Sequence, residues 1–467
     1  MATRRDQLHS YQFLTQRVIS AFVMRETDPA QSPLRRGVGA VFGGVMIAVL
    51  VAAGFGIYGI ITKIGSDGWK TDGAVVIEKE TGASFVYAQG VLRPTLNYTS
   101  AVLASGRPST KPFRVSSNSL REVPRGTTVG IPGAPDSLPS AKRRVGLPWT
   151  VCATPGTDTS GSPTSTVTLV VAGAPTGGRA VGADEGILVR DIQRGETYLV
   201  WHGHRHGIAS PDRLVPALFG TATPALAGTA WLNSLTAGAD ITRITIDDRG
   251  NPSTAFPDRA IGDVLIAQTG SGPQHYLVFD DGVAAITPLQ LAVLGAEYEV
   301  RPVEVPLSVV TPQDKQSARL RPVQGDIAPP TSVPTLVQAS GNEQLCAVTA
   351  DAQSTAAIRV GGTVAGLETA TPTRARGDGG VALADRVLVP AGRIAVVRVL
   401  GAPTAEAGPY YLVTDVGIKY AAADEQVLTL LGYPPQEAVN VPAALVSRIP
   451  SGPTLDPVRA GQPATIP

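Results

Sequence analysis

Residues 37–62 carry no charged side chain and directly follow the pair Arg35-Arg36. They divide the chain into about 36 residues before and about 405 after. At 1.5 Å per residue, a helix of this length reaches about 39 Å, more than the roughly 30 Å hydrocarbon core of a bilayer, so it can span with some tilt. A cleaved signal peptide has an apolar region of about 7 to 15 residues and a small-residue cleavage site. The run here is longer and begins later, and it reads as a retained transmembrane helix. Arg4, Arg5, Arg17, Arg25, Arg35 and Arg36 outnumber Asp6, Glu26 and Asp28 in the tail. The positive-inside bias therefore places residues 1–36 in the cytoplasm and 63–467 outside. Gly39 and Gly43 form a GxxxG spacing that lets a neighbouring helix approach closely.

A net charge of +1 with 16% charged residues gives no reason to expect nucleic-acid binding or a polybasic lipid surface outside the membrane. With 51 Gly and 39 Pro, turns must interrupt any core often, so more than one packing unit is expected. Aromatic residues are only 5%, which leaves Val, Leu, Ile and Ala to fill the cores and favours strands. Cys152 and Cys346 are the only two cysteines. In an oxidising exterior a disulfide between them is the default, against an alternative of two buried free thiols. Closing a loop of about 195 residues stabilises by at most about 5 kcal/mol under the chain-entropy model.

Four stretches share a short apolar run, a glycine, an aliphatic residue and then helix-like apolar spacing. Tyr276-Leu277-Val278 leads to Gly282-Val283, and Tyr411-Leu412-Val413 to Gly417-Ile418. Tyr198-Leu199-Val200 leads to Gly207-Ile208 with a longer loop, and Phe85-Val86-Tyr87 to Gly90-Val91. Strand-like runs precede each, at 74–77, 187–189, 264–266 and 394–399. Each copy reads as a hairpin followed by a short helix. Phe85 lies 67 residues before Cys152 and Tyr276 lies 70 before Cys346, so the copies fall into two matching halves with a disulfide on a pseudo-twofold axis. Double glycines, Gly177-Gly178 and Gly379-Gly380, follow the two cysteine segments. A motif V-P-x6-I-P-x2-P, at Val123 and again at Val441, pairs the first and fourth copies and reads as edge segments or straps, since proline cannot donate to a ladder. Residues 301–338 read as a strap crossing between halves.

The fold class expected is α+β, with a single transmembrane helix and an elongated exterior of four hairpin-plus-helix modules around a central β core. The boundaries are a cytoplasmic arm at 1–36, the span at 37–62 and the exterior at 63–467. Modules fall near 74–138, 187–235, 262–300 and 394–455, and core segments near 145–186 and 301–390.

Chemistry is sparse. His202, His204 and His206 alternate, and a strand would put all three imidazoles on one face as a weak transition-metal candidate. With no carboxylate or cysteine beside them as a fourth ligand, a solvated or partner-facing loop is the favoured reading. No Gly-Lys dipeptide is present to build a phosphate-binding loop, and no G-x-S-x-G nucleophile elbow occurs. Asp247-Asp248 and Asp280-Asp281 lie in turn-like sequence. No catalytic residue, resident metal or cofactor is expected. In the arm, Leu8, Tyr11, Leu14, Val18, Ala21, Phe22 and Arg25 recur near helical spacing with Arg17 on the other side, an amphipathic helix for the inner leaflet or a cytoplasmic partner.

Ser10-Tyr11-Gln12-Phe13-Leu14 with Arg17 and Ala21, then Asp28-Pro29 and Ser32-Pro33-Leu34-Arg35-Arg36 abutting the span, resemble the EccB membrane component of the actinobacterial type VII (ESX) secretion system. The two cysteines and the repeat pairs extend the likeness over essentially the whole chain. The resemblance implies a single-pass protein of the inner (plasma) membrane with an extracytoplasmic repeat domain clamped by a disulfide. It also implies assembly with the EccC motor ATPase, EccD, EccE and other EccB copies. Tyr11, Phe13, Leu14, Phe22, Arg17, Arg35 and Arg36 are then the residues of a partner-docking arm. The family is sometimes labelled ATPase, which nothing in these residues supports independently. The function expected is structural support of protein export, and the rival is a membrane-anchored protein whose modules grip peptidoglycan.

Overall fold

The computed structural model describes residues 3–25, 34–62, 67–108, 111–320 and 323–464. They form two units, Met1–Lys70 and Thr71–Pro467.

The first unit holds two helices, α1 (Arg4–Met24) and α2 (Leu34–Thr62). Helix α1 starts where the backbone N–H and hydroxyl of Thr3 both donate to Asp6 Oδ2, at 3.0 and 2.6 Å. This satisfies an orphan donor of the first turn. It stops at Arg25, whose φ of 58° is left-handed. The expected arm helix therefore ends one residue before Arg25. Within α2, the stretch Gly37–Gly59 is apolar enough to cross a membrane, with mean hydropathy 2.4.

The second unit is mixed α and β, in five sheets. Four of them share one connectivity. In the first, Ala74–Glu78, Ser84–Ala88 and Val91–Pro94 run as an antiparallel meander, and Phe113–Val115 returns parallel to the opening strand. The second repeats this with Glu185–Asp191, Thr197–Trp201, His204–Gly207 and the returning Ala225–Ala227. The third uses Val264–Thr269, Gly272–Phe279, Gly282–Ile286 and Val303–Glu304. The fourth uses Ile394–Leu400, Tyr410–Thr414, Lys419–Ala421 and Val439–Pro442.

A helix bridges the third and fourth strand of each sheet: Tyr98–Ser105, Pro211–Phe219, Pro288–Gly295 and Glu425–Leu430. Local sequence starts them. Asn97, Thr287 and Asp424 accept backbone N–H groups of the first turn, and Pro211 and Pro288 preset the helical φ at its opening. After each returning strand comes a four-residue helix, then a parallel contact back to the meander, seen at Leu92 with Arg125, Ile208 with Ile241, Val283 with Gln316 and Lys419 with Ser451.

The fifth sheet has the order Thr371–Pro372, Arg386–Leu388, Pro163–Val170, Trp149–Thr157, Leu345–Thr349, Ala357–Val360, Arg179–Ala180. Alternation sets its faces. Trp149, Val151, Ala153, Leu345 and Ala347 enter the main core, which also takes Val397 and Val413 from the fourth sheet and Trp231 from the helix Thr229–Leu232. Trp231 is fully buried and its indole N–H donates to Val151 O at 3.0 Å.

Two further cores join sheets in pairs. Leu103, Ile131, Leu412 and Leu428 bring the first and fourth together, and Leu199, Leu214, Leu289 and Val293 the second and third.

Several details differ from the sequence reading. The second hairpin is closed not by a long loop before Gly207 but by His202 and Gly203, both left-handed at φ 49° and 74°. That two-residue turn matches the twist of the strands it joins. The two V-P motifs occupy different places. Val441-Pro442 ends the returning strand of the fourth sheet, whereas Val123-Pro124 follows the four-residue helix of the first. Gly177-Gly178 packs against a further glycine pair, Gly361-Gly362, which the sequence reading did not single out. A Cβ on Gly178 would lie 2.4 Å from the Gly362 nitrogen, so no side chain fits. In 301–338, Val303–Glu304 pairs with the third sheet and Thr335–Leu336 with the second, outside the central sheet.

Candidate functional site

Helix α1 leaves its apolar side chains uncovered in the isolated chain. Leu8, Tyr11, Leu14, Val18 and Phe22 follow steps of three and four and form one stripe, with Phe22 86% exposed. Phe13 does not belong to it. At 100° per residue it falls on the far side with Arg17, whose guanidinium sits 5.1 Å over the Phe13 ring. The candidate docking residues thus divide into a stripe of Tyr11, Leu14 and Phe22 and an opposite pair of Phe13 and Arg17. The hydrogen bonds from Thr3 hold the fully exposed Asp6 carboxyl below its usual range. Arg35 and Arg36 begin α2, and their side chains lie outside the described residues.

The second candidate is the centre of the fifth sheet. Cys152 and Cys346 are joined in a disulfide between directly opposed positions of two antiparallel strands, both sulfurs fully buried. The strand register places them on the face away from Trp149 and Val151.

The three histidines do not converge. His202 sits in the turn, stacked on Trp201 with ring centroids 3.7 Å apart, and its Nε2 is 2.7 Å from Ala183 O. His204 and His206 share a strand face and are buried, their rings 6.3 Å apart. Of the favoured solvated or partner-facing loop, exposed His202 keeps its place in a turn, while His204 and His206 are corrected to buried positions on a strand. Among the described residues no group of His, Cys, Asp or Glu has the arrangement of a metal site. His206 Nδ1 bonds Ala239 O at 2.8 Å, and its ring packs against Gly238, where a Cβ would lie 2.2 Å from Cε1. Burial pushes both imidazoles below their usual pKa. Asp280 Oδ1 accepts the Thr254 N–H and hydroxyl, and Asp281 accepts the Ser317 hydroxyl, so both tie their turn to neighbouring loops.

Sequence reasoning missed a group of cations where the second and fourth sheets approach. Arg448 is 7% exposed, and burial and then the Arg205 charge lower its pKa. Lys419 donates to Val446 O at 2.7 Å, and burial, reinforced by Arg448, pushes it down to about 8. Positions 205, 419 and 448 share no motif, so only the fold brings them together.

Over residues 1–465 the sequence matches the family described as "Type VII secretion system ESX-1, transport TM domain B". The chain belongs to the EccB family. EccB1 of Mycolicibacterium smegmatis strain MKD8, named an ESX-1 secretion system ATPase, is 32% identical over 66% of this chain and 65% of its own length. EccB3 of Mycobacterium tuberculosis, named an ESX-3 secretion system ATPase, is 30% identical over 62% and 56%. Both matches span less than two thirds of those EccB relatives. EccB3 of Mycolicibacterium smegmatis mc(2)155 aligns over 97% of this chain and 89% of its own, at 28% identity. Among solved structures, a chain of an intact ESX-5 inner membrane complex is similar at a TM-score of 0.63 and 26% identity, covering 100% of this chain and 96% of that one. The EccB3 dimer of the ESX-3 core complex is similar at 0.60 and 25%, covering 83% and 99%. The family match thus takes in both units described above.

Proposed function

We propose that this chain is a structural component of an ESX-type inner membrane secretion complex, and that its exterior multimerises there. One observation carries the reading: the likeness to a chain of the intact ESX-5 inner membrane complex extends over 100% of this chain, including the apolar helix. Residues 1–36 lie in the cytoplasm, in keeping with their arginine excess, and the second unit lies outside.

In this reading α1 docks on a cytoplasmic partner through Tyr11, Leu14 and Phe22, since a lone helix of its length needs a surface to hold it. The partners are EccC, EccD, EccE and further EccB copies. The exterior is four repeat modules about a pseudo-twofold through the disulfide. Supporting this, Arg144–Val145 runs parallel to the opening strand of the fourth sheet just as Thr335–Leu336 does to that of the second. The pairing of sheets, first with fourth and third with second, obeys the same symmetry.

The test is affinity purification of the full-length chain from its own membranes. EccC and EccD co-purify if the reading holds. If the chain emerges without them and sediments with isolated peptidoglycan, the wall-binding reading takes its place.

A further inference from the structure

Where the central sheet meets the second and fourth sheets, a cavity of about 290 Å³ is lined by Gln193, Arg194, Thr229, Arg376, Asp385 and Arg448 among others. Each element supplies its side chain for a local reason. Gln193 and Arg194 sit in the turn that closes the opening hairpin of the second sheet, held by Asp191 Oδ1, which accepts both backbone N–H groups. Thr229 opens a short helix and donates through its backbone N–H to Gln193 Oε1 at 2.6 Å. Arg376 enters from the loop containing Gly379 and Gly380, whose φ of 73° and 76° favour glycine. Arg448 comes from just beyond the four-residue helix of the fourth sheet.

The charges do not balance. Three guanidiniums face one carboxylate, and Asp385 Oδ2 is already engaged by the Val167 N–H at 2.7 Å. Asp191 is spent on its own turn and on the Thr229 hydroxyl. Arg194 has only a long contact to Glu196, 3.9 Å. Arg376 reaches Gly380 O at 3.4 Å. Among the described residues Arg448 has no carboxylate within 4 Å. One of its terminal nitrogens donates to Ala382 O at 2.7 Å, and its buried Nε has no acceptor. A buried guanidinium carries five donors and persists in a fold when its charge and donors are met. Here they are met only in part.

We propose that this cavity binds a compact oxyanion, a phosphate or carboxylate group carried by a ligand, held between Arg448 at its base and Arg376 and Arg194 at its mouth. Guanidinium geometry suits such groups, which accept paired N–H bonds in one plane. The volume lies at the low end for small-molecule sites, so it takes one anionic group and its immediate substituent rather than a long chain. The left-handed glycines keep the mouth free of side chains beside Arg376. Nothing in this rests on the secretion role.

The test is titration calorimetry on the full-length chain in detergent, with pyrophosphate in one arm and succinate in the other, at fixed ionic strength against chloride. Saturable binding in either arm is expected, and the arm that saturates identifies the source of the anion. Arg376→Gln and Arg194→Gln, both exposed and so neutral to folding, each weaken it about tenfold, the loss of one charge-assisted pair. Arg448→Gln abolishes it if the variant folds. No saturable heat in either arm, or unchanged affinity in both exposed variants, overturns the proposal.

Discussion

Cys152 and Cys346 stand directly opposite each other across an antiparallel strand pair, their Cα atoms 4.1 Å apart and their positions 194 residues apart in sequence. The bond therefore closes a long loop at one of the five register positions where the two hairpins of the central sheet face each other. Everything between them, including the second and third sheets, is enclosed in that loop.

Replacing both cysteines with serine is expected to lower stability by up to about 5 kcal/mol, because the unfolded chain regains the entropy of the closed loop. The denaturant midpoint of the full-length protein reads this out. Because both sulfurs are fully buried, reductant should leave native protein unlabelled by a thiol reagent until denaturant is added. Rapid labelling of native protein would show the clamp to be open to solvent.

Acid should destabilise the second sheet first. Burial lowers the folded pKa of His204 and His206, so the unfolded chain binds more protons as pH falls toward the free imidazole value of about 6.5. Stability is unaffected well above that value and declines as pH falls toward the folded pKa. His206, buried and with its pKa lowered, adds to this slope, which for one proton is at most about 1.4 kcal/mol per pH unit. Unfolding free energies at about pH 7, 6 and 5, across the free imidazole pKa, should vary less in His206→Asn than in the parent. A parallel decline in both proteins would remove the imidazole from the explanation.

Trp231 ties the second sheet to the central one. Trp231→Ala should cost about 3 to 5 kcal/mol through the cavity left behind. Trp231→Phe keeps most of the ring and loses mainly the bond to Val151 O, at about 1 kcal/mol. Equal losses for the two variants would mean that packing is not what the indole contributes.

ATP turnover by the purified full-length chain is expected to match a buffer blank, since the sequence has no Gly-Lys phosphate loop. Steady Mg²⁺-dependent turnover that disappears on a point substitution would contradict this.

How far the sequence was readable varies with the range of the cause. The span at 37–62 and the strand runs at 74–77, 264–266 and 394–399 were legible because uncharged length and apolar spacing are local signals, and helix Leu34–Thr62 and strands Ala74–Glu78, Val264–Thr269 and Ile394–Leu400 occupy them. The returning strands were not. Val303–Glu304 is two residues long and gains its partner, Leu265–Ile266, from nearly forty positions away, so no window of sequence contains the cause. The turn at His202 was foreseen, but the burial of His204 and His206 on the strand after it was not, because the glycine at 203 made the turn only two residues long. Arg205, Lys419 and Arg448 were invisible for the same reason as the returning strands: their proximity is tertiary.

The central claim is that the apolar helix joins an exterior scaffold to a cytoplasmic assembly through α1. A photo-crosslinking amino acid in place of Phe22, irradiated in native membranes, measures that contact directly. Adducts with EccC, EccD or another EccB copy are predicted, and they should vanish in Leu14→Asp, which alters the same stripe. Adducts with lipid alone, unchanged by Leu14→Asp, would contradict the account.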